Sequence, residues 1–261
     1  MTLAELKKQI AKLNNGVDGV NDELLKAIEE YQQRYELELR RINFDTVDGE
    51  LKSTASNYTK VQKLDMVQEL NFKGIVKDNA NNYNTVVEVT EGFHKSLGID
   101  TDKFKYKDLS ILKVIKNQDS ISLLTEGLQL DNLVKKELIN AVALNQPLSQ
   151  TIANLSDNLL GSGEKMGKLA RYSKTYMNTS IQGLSRMVDK KIMDELDLKD
   201  EYLYAGTVDL KIRPFCKAHV GKTYTKKEIE KFPVENNSGL DPFFAPGGWS
   251  CRHRMISTDL V

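Results

Sequence analysis

Both cysteines of this 261-residue chain and two of its three histidines lie in two short runs near the C-terminus. They are arranged as Cys216-x-x-His219 and Cys251-x-His253, and the 31 residues from Val220 to Ser250 separate the two runs. Two cysteines and two histidines are a set that binds zinc tetrahedrally in structural sites, so that one ion can close the loop between the runs. One interpretation is therefore a structural zinc site.

Two other interpretations stay open on the spacing alone. The cysteines can be ordinary buried thiols accompanied by exposed histidines. They can also form a disulfide, which is the weakest of the three interpretations because the chain has two cysteines and no secretory signal. The zinc interpretation carries a geometric condition. Residues at i and i+2 point to the same side only in extended backbone, so the run around Cys251 and His253 must be extended.

The balance of charge argues against a general binder of polyanions. The chain has 37 Lys and Arg residues and 37 Asp and Glu residues, which gives a formal net charge of zero. Proteins that bind nucleic acid or anionic membranes broadly carry a basic excess. We expect no membrane partner, because no apolar run approaches the roughly 20 residues that span a bilayer. The N-terminus lacks the apolar core of a signal peptide, so a reducing cytoplasm is expected.

Helical periodicity dominates the first part of the sequence. Apolar residues predict a short helix up to Leu13, a turn over residues 14–19 and a second helix that begins after a cap at Asp22. Residues 44–58 lose the periodicity and are predicted to be a loop, whereas residues 74–97 are predicted to be helical. His94 lies in that helix and is interpreted as a surface or capping residue.

The remaining helices lead into a segment of different composition. Lys103–Lys116 is predicted to be a strand, or a helix beginning at Asp108. Further helices are predicted to end before Pro147, to run from Leu148 to a cap at Gly161, and to extend from Glu164 to about Leu196.

The composition changes after Asp200, where four of the five prolines and four of the eight phenylalanines lie. A strand is predicted over 202–208, a helical turn over 226–231 and an irregular loop over 236–248. The predicted class is α+β, with a mostly helical N-terminal region and a small C-terminal α+β module.

A family resemblance favours the zinc interpretation. In order, the module contains Thr207-x-Asp209, Arg213-x-x-Cys216-x-x-His219, Gly221-Lys222-x-Tyr224 and a turn rich in proline and glycine that leads into Cys251-Arg252-His253. This order resembles the C-terminal signature of phage Mu protein F-like minor head proteins, the phage head morphogenesis family. The resemblance covers roughly residues 146–258. The family usually has Cys where this chain has His219 and a His where it has Gly248, so four candidate ligands remain: Cys216, His219, Cys251 and His253.

Periodicity predicts a helical N-terminal region at 1–145, and the resemblance implies a head morphogenesis domain at 146–261. It implies a non-enzymatic minor capsid protein, found in the host cytoplasm during assembly and then inside the virion head. Its expected partners are the portal protein and also scaffold or major capsid protein, with a role in procapsid assembly and in DNA packaging or delivery. One alternative is a zinc-stapled nucleic-acid-binding protein, since residues 203–261 contain nine Lys or Arg and six Asp or Glu. A weaker alternative is a toxin or effector enzyme, because related modules also occur fused to enzyme domains.

Catalysis is not expected from the residues of the module. A zinc with four protein ligands has no open position for substrate, and no H-E-x-x-H motif accompanies the cysteines. Asp209 and Arg213 are interpreted as bracing residues that hold the two runs by a salt bridge or by turn contacts. The aromatic residues Phe243, Phe244 and Trp249 are predicted to form the core of the module rather than a surface that stacks on bases.

Overall fold

A computed structural model describes residues 3–103, 110–196, 198–233 and 241–261 of the chain. The helices in chain order are α1 (Leu3–Arg41), α2 (Ala55–Gln62), α3 (Met66–Glu69), α4 (Phe72–Ser96), α5 (Ser110–Ala143), α6 (Leu148–Leu160), α7 (Lys168–Glu195), α8 (Pro214–His219) and α9 (Lys226–Ile229). The strands are β1 (Thr46–Val47), β2 (Glu50–Leu51), β3 (Gly161–Ser162), β4 (Lys165–Met166), β5 (Glu201–Ala205), β6 (Thr223–Thr225) and β7 (Arg254–Ser257). The predicted α+β class is confirmed, with a helical N-terminal region and a small C-terminal sheet module.

The C-terminal sheet has three antiparallel strands in the order β6-β5-β7. Tyr202 of β5 lies opposite Tyr224 of β6, and Tyr204 lies opposite Met255 of β7. Apolar and aromatic side chains from the sheet, α8, α9 and the loop before β7 pack into one cluster that contains both cysteines. Two small hairpins, β1-β2 and β3-β4, lie elsewhere in the chain.

The chain forms two compact units that each combine separate segments. The first unit contains Met1–Asp22, Asn81–Asn117 and Thr175–Val261, and the second contains Glu23–Ala80 and Gln118–Lys174. The C-terminal sheet and both cysteines belong to the first unit. The division into 1–145 and 146–261 was inferred from the resemblance rather than from contacts, and it stays a prediction.

The predicted turn between two N-terminal helices is wrong, because α1 continues through residues 14–19. Val17 and Val20 are buried and extend the apolar stripe that Leu13 belongs to. Asn14 is 3% exposed, and its side chain donates to the carbonyl of Arg252 at 3.1 Å. Buried contacts with the rest of the first unit therefore outweigh the weak helix propensity of this Asn- and Gly-rich stretch.

Several other boundaries differ from the predictions. The predicted loop over 44–58 contains the β1-β2 hairpin and the start of α2, and α7 begins four residues after the predicted Glu164 because β3 and β4 precede it. The helices over 74–97 and 148–160 are confirmed, and Gly161 ends α6 with a φ of 85°. The predicted strand or helix start within 104–109 and the loop residues 236–240 lie outside the described residues.

His94 is buried, so its interpretation as a surface or capping residue is wrong. Its side chain is 1% exposed, and its Nε2 lies 2.8 Å from Oδ1 of Asp189 on α7. The other carboxylate oxygen of Asp189 accepts a hydrogen bond from Arg254 at 2.6 Å. Arg254 also donates to Asn14 at 3.1 Å, so this buried polar network joins α1, α4, α7 and β7 within the first unit.

Among the residues that the structure describes, none of the helices has both the length and the apolar composition needed to cross a bilayer.

Candidate metal centre

Two segments of the first unit bring the candidate ligands together. Cys216 lies in α8, which begins with Pro214 and so gains a fixed φ at its first turn. Cys251 and His253 lie in the segment that leads into β7. Because β7 pairs with the central strand β5, His253 is placed just beyond the pair formed by Ala205 and Arg254.

Cys216, Cys251 and His253 are buried, and their ligand atoms all lie within 4.8 Å of one another. The two sulfur atoms are 4.0 Å apart, and Sγ of Cys251 lies 3.8 Å from Nδ1 of His253. The side chains of Cys251 and His253 thus point to the same side, as the metal interpretation requires. These three residues can hold a metal ion.

The distances match those of a tetrahedral zinc site. Two sulfurs that each lie about 2.3 Å from a tetrahedral zinc are separated by roughly 3.8 Å, and a sulfur and an imidazole nitrogen by roughly 3.6 Å. Nε2 of His253 is buried without a hydrogen-bond partner among the described residues, so the protein satisfies the polar atoms of this ring only weakly. A metal held by Nδ1, the ring nitrogen that lies next to Sγ of Cys251, would satisfy that atom and leave the ring proton on Nε2.

The hydrogen bond between the two cysteine sulfurs shifts the pKa values of both thiols. The hydrogen bond from the Cys216 thiol holds the pKa of Cys251 well below its usual range, while burial raises that pKa to a smaller extent. The same hydrogen bond to Cys251, together with burial, raises the pKa of Cys216. The hydrogen bond between the sulfurs thus favours the thiolate form at Cys251 over that at Cys216. A thiolate is the form of cysteine that binds metals.

Gly247 makes room for the sulfur atoms. A Cβ at this position would overlap Sγ of Cys216 and would lie 2.8 Å from Sγ of Cys251 and 3.2 Å from the hydroxyl of Tyr204. The three polar atoms thus surround a space that any other residue would fill with its side chain. The glycine in the turn before Cys251 is required by this close approach of the backbone rather than by a turn conformation.

Arg186 on α7 holds the segment that carries Cys251 and His253. Its guanidinium donates to the carbonyls of His253 and Phe244 at 2.7 Å each, and also to the carbonyl of Cys251. Burial lowers the pKa of Arg186 to about 10, which leaves the side chain charged at neutral pH. A buried cation on a helix therefore orients three carbonyls of a segment without regular structure.

His219 lies outside this group of three ligands. Its Nδ1 is 2.7 Å from the hydroxyl of Tyr224, and its ring packs against that of Phe215 with centroids 4.2 Å apart. Burial lowers the pKa of His219, and the charge of Lys222 lowers it further. The structure thus brings together three of the four predicted ligands, and ligation by His219 stays a prediction.

Asp209 and Arg213 do not pair with each other but contact the segment of the second run. Asp209 accepts from Arg252 at 2.8 Å, and a hydrogen bond from Arg252 holds the pKa of Asp209 below its ordinary value. Arg213 donates to the carbonyl of Gly247 at 2.7 Å and to that of Trp249. The Asp209–Arg252 contact is a salt bridge and the Arg213 bonds are turn contacts, and both join the residues before Cys216 to the segment around Cys251. The bracing role itself stays a prediction.

The predicted aromatic core of the module is only partly correct. Phe243 is buried in the apolar cluster, whereas Phe244 is half-buried. Trp249 is 38% exposed, so its placement in the core is wrong. Its backbone carbonyl, not its ring, makes the contact with Arg213.

Three residues of the site were not identified from the sequence: Tyr204, Arg186 and Gly247. Tyr204 lies in a strand of mixed apolar and aromatic residues, and Arg186 lies in a helix with many charged residues, so nothing distinguishes them locally. Gly247 has a weak signal, because it belongs to the Pro- and Gly-rich turn that leads into Cys251.

Comparisons of the chain with protein-family models, with curated proteins and with solved structures give no match.

Proposed function

We propose that this chain is a phage minor head protein that joins the procapsid through the portal, and that one structural zinc ion holds its C-terminal module together. The observation that supports the proposal is the convergence of Cys216, Cys251 and His253, because the two segments that carry the family resemblance are the segments that meet at this site.

The metal would act on stability rather than on chemistry. Cys216, Cys251 and His253 would hold it, and it would join α8 to the segment before β7, which has no regular structure of its own. A structural metal contributes its binding free energy to folding, and small modules with much irregular backbone gain most from it. The module would then present a fixed surface to the portal, with scaffold or major capsid protein as further partners.

The metal content of the purified protein tests the zinc part of the proposal. Protein purified without added metal should contain about one zinc per chain, measured by elemental analysis. Cys251→Ser should lose the metal and unfold the C-terminal module, whereas Lys217→Ala, an exposed neighbour of Cys216 on α8, should retain both. Well under one zinc per chain in a protein that stays folded would remove the zinc part.

The assembly part is tested separately. The chain should co-purify with the portal ring when it is expressed with the portal, scaffold and major capsid proteins of the same phage, and it should be found in the resulting procapsids. Cys251→Ser should be missing from them, and Lys217→Ala should be present. Procapsids that exclude the folded, zinc-containing wild type would overturn the assembly role and leave the metal site untouched.

A further inference from the structure

The hydroxyl of Tyr204 lies beside the three candidate ligands. Tyr204 is fully buried in β5, and its hydroxyl donates to Sγ of Cys216 at 3.3 Å. The same hydroxyl is one of the three atoms that surround the space left by Gly247, together with the two cysteine sulfurs. An oxygen ligand and a sulfur ligand of one tetrahedral zinc are separated by roughly 3.5 Å. The position of the hydroxyl therefore fits a fourth ligand.

We propose that Tyr204, rather than His219, completes the metal site as an oxygen ligand. This inference rests on the metal site proposed above. His219 interacts with Tyr224 through Nδ1, and its ring is packed between aromatic neighbours, among them Phe215 and Phe232. His219 would have to move before a ring nitrogen could join the other three ligand atoms, whereas Tyr204 needs no such movement. Its backbone is held in the centre of the sheet, where it pairs with Met255 and bonds to the carbonyl of Lys222 at 2.9 Å.

The charge of Arg186 supports an anionic fourth ligand. Arg186 is buried next to the site, and within the described residues its hydrogen bonds go to backbone carbonyls and not to a carboxylate. A buried cation is costly unless a negative charge lies near it. Zinc with two thiolates and a neutral histidine has no net charge. A phenolate from Tyr204 would give the site one negative charge close to Arg186, whose other nearby anion, Asp189, is already paired with Arg254.

Zinc enters as a dication. As the zinc–ligand bonds form, each cysteine that still carries a proton and the hydroxyl of Tyr204 release their protons to the buffer. Neither an oxidant nor a reductant is involved. Burial and the two neighbouring cysteines raise the pKa of Tyr204 above its ordinary value of about 10, so ionised Tyr204 at neutral pH would report a bond to zinc.

The experiment titrates zinc into the metal-free full-length protein at neutral pH and follows the near-ultraviolet difference band of ionised tyrosine. Wild type should bind one zinc and show the band. Tyr204→Phe should lose the band, release one proton fewer per zinc and bind at least about tenfold more weakly, the lower end of the cost of losing a group that supports a metal ligand. Tyr202→Phe, a buried tyrosine two residues away on β5, and His219→Gln should match wild type.

The possible outcomes separate this inference from the proposed function. Zinc binding by wild type without the tyrosine band, or an unchanged affinity in Tyr204→Phe, would overturn the role of Tyr204 while the zinc site stands. Loss of affinity in His219→Gln with no tyrosine band would assign the fourth position to His219. A wild type that binds no zinc would overturn both. If Tyr204→Phe folds poorly, the absence of the band in wild type would still overturn the role of Tyr204. Because the chain has ten tyrosines, the presence of the band assigns Tyr204 together with the loss of the band in Tyr204→Phe and its persistence in Tyr202→Phe.

Discussion

At the scale of single residues, the main unexpected feature is a buried ion pair that the sequence does not predict. Arg254 is fully buried, and its Nη1 lies 2.6 Å from Oδ2 of Asp189, which is 3% exposed. Burial raises the pKa of Asp189, but the charge of Arg254 and the hydrogen bond with His94 outweigh it, so this pKa lies below its ordinary value. Asp189 is thus the ion-pair partner of Arg254, the residue next to the candidate ligand His253.

Replacing Asp189 should therefore destabilise the folded protein strongly. Asp189→Asn leaves a buried guanidinium without its counter-charge, and the free energy of unfolding should fall by about 3–5 kcal/mol. Asp194→Asn is the matched control on the same helix, because its pair with Lys190 is exposed and should change stability by less than about 0.5 kcal/mol. Urea denaturation of the three proteins measures both values. Equal stabilities of the two variants would contradict the role of the buried pair.

The same pair should shape the stability of the protein in acid. Because the folded pKa of Asp189 lies below the unfolded value of about 3.9, the unfolded chain binds this proton more readily. The contribution of the carboxylate is therefore present above about pH 4 and is lost as the pH falls through the folded pKa. The stability difference between wild type and Asp189→Asn should shrink below pH 4, and a difference that stays constant there would argue against this linkage.

At the scale of elements, a close contact joins α7 to the irregular segment before β7. The ring of Phe244 packs against Gly183 in the middle of α7, and a Cβ at position 183 would overlap several ring atoms. The carbonyl of the same phenylalanine accepts from Arg186, one turn further along the helix. The segment is thus positioned by α7 through one steric contact and one charged side chain, without any ladder of strand hydrogen bonds.

Adding a side chain at position 183 should destabilise the unit that contains the candidate metal site. Gly183→Ala should lower the free energy of unfolding by about 1–3 kcal/mol, because Phe244 must move from a well-packed position. Gly19→Ala in α1 is the control, since a Cβ there meets no atom within 4 Å, and it should raise stability by about 0.5–1 kcal/mol. Thermal unfolding followed by circular dichroism distinguishes the two. A stabilising Gly183→Ala would mean that the ring does not occupy this position.

At the scale of the whole molecule, the charge balance limits how the chain can meet DNA. The numbers of acidic and basic residues are equal, and the excess of three basic residues within 203–261 is small. Non-specific affinity for DNA depends on the number of phosphates that a protein neutralises. The charge distribution therefore gives little support to a nucleic-acid-binding function for the module.

We accordingly expect weak binding to random duplex DNA that weakens further as salt increases. The dissociation constant at physiological salt should be above about 1 μM, within the range of non-specific binding. Fluorescence anisotropy with a labelled duplex at several salt concentrations measures it. Submicromolar binding at physiological salt would favour the nucleic-acid interpretation over the assembly role.

The sequence by itself determined the features that depend on local patterns. Periodicity predicted the helices over 74–97 and 148–160, and the concentration of Cys216, Cys251 and His253 in two runs pointed to a shared site. The tertiary structure alone decided which groups complete that site. Asn14 and Arg186 bond to partners 58 or more residues away, and Tyr204 bonds to Cys216, 12 residues away on another element. Such pairings leave no periodic trace in the sequence. Burial among those partners also overrode propensity in α1 and placed His94 inside the protein, because buried contacts outweigh the small differences in local preference.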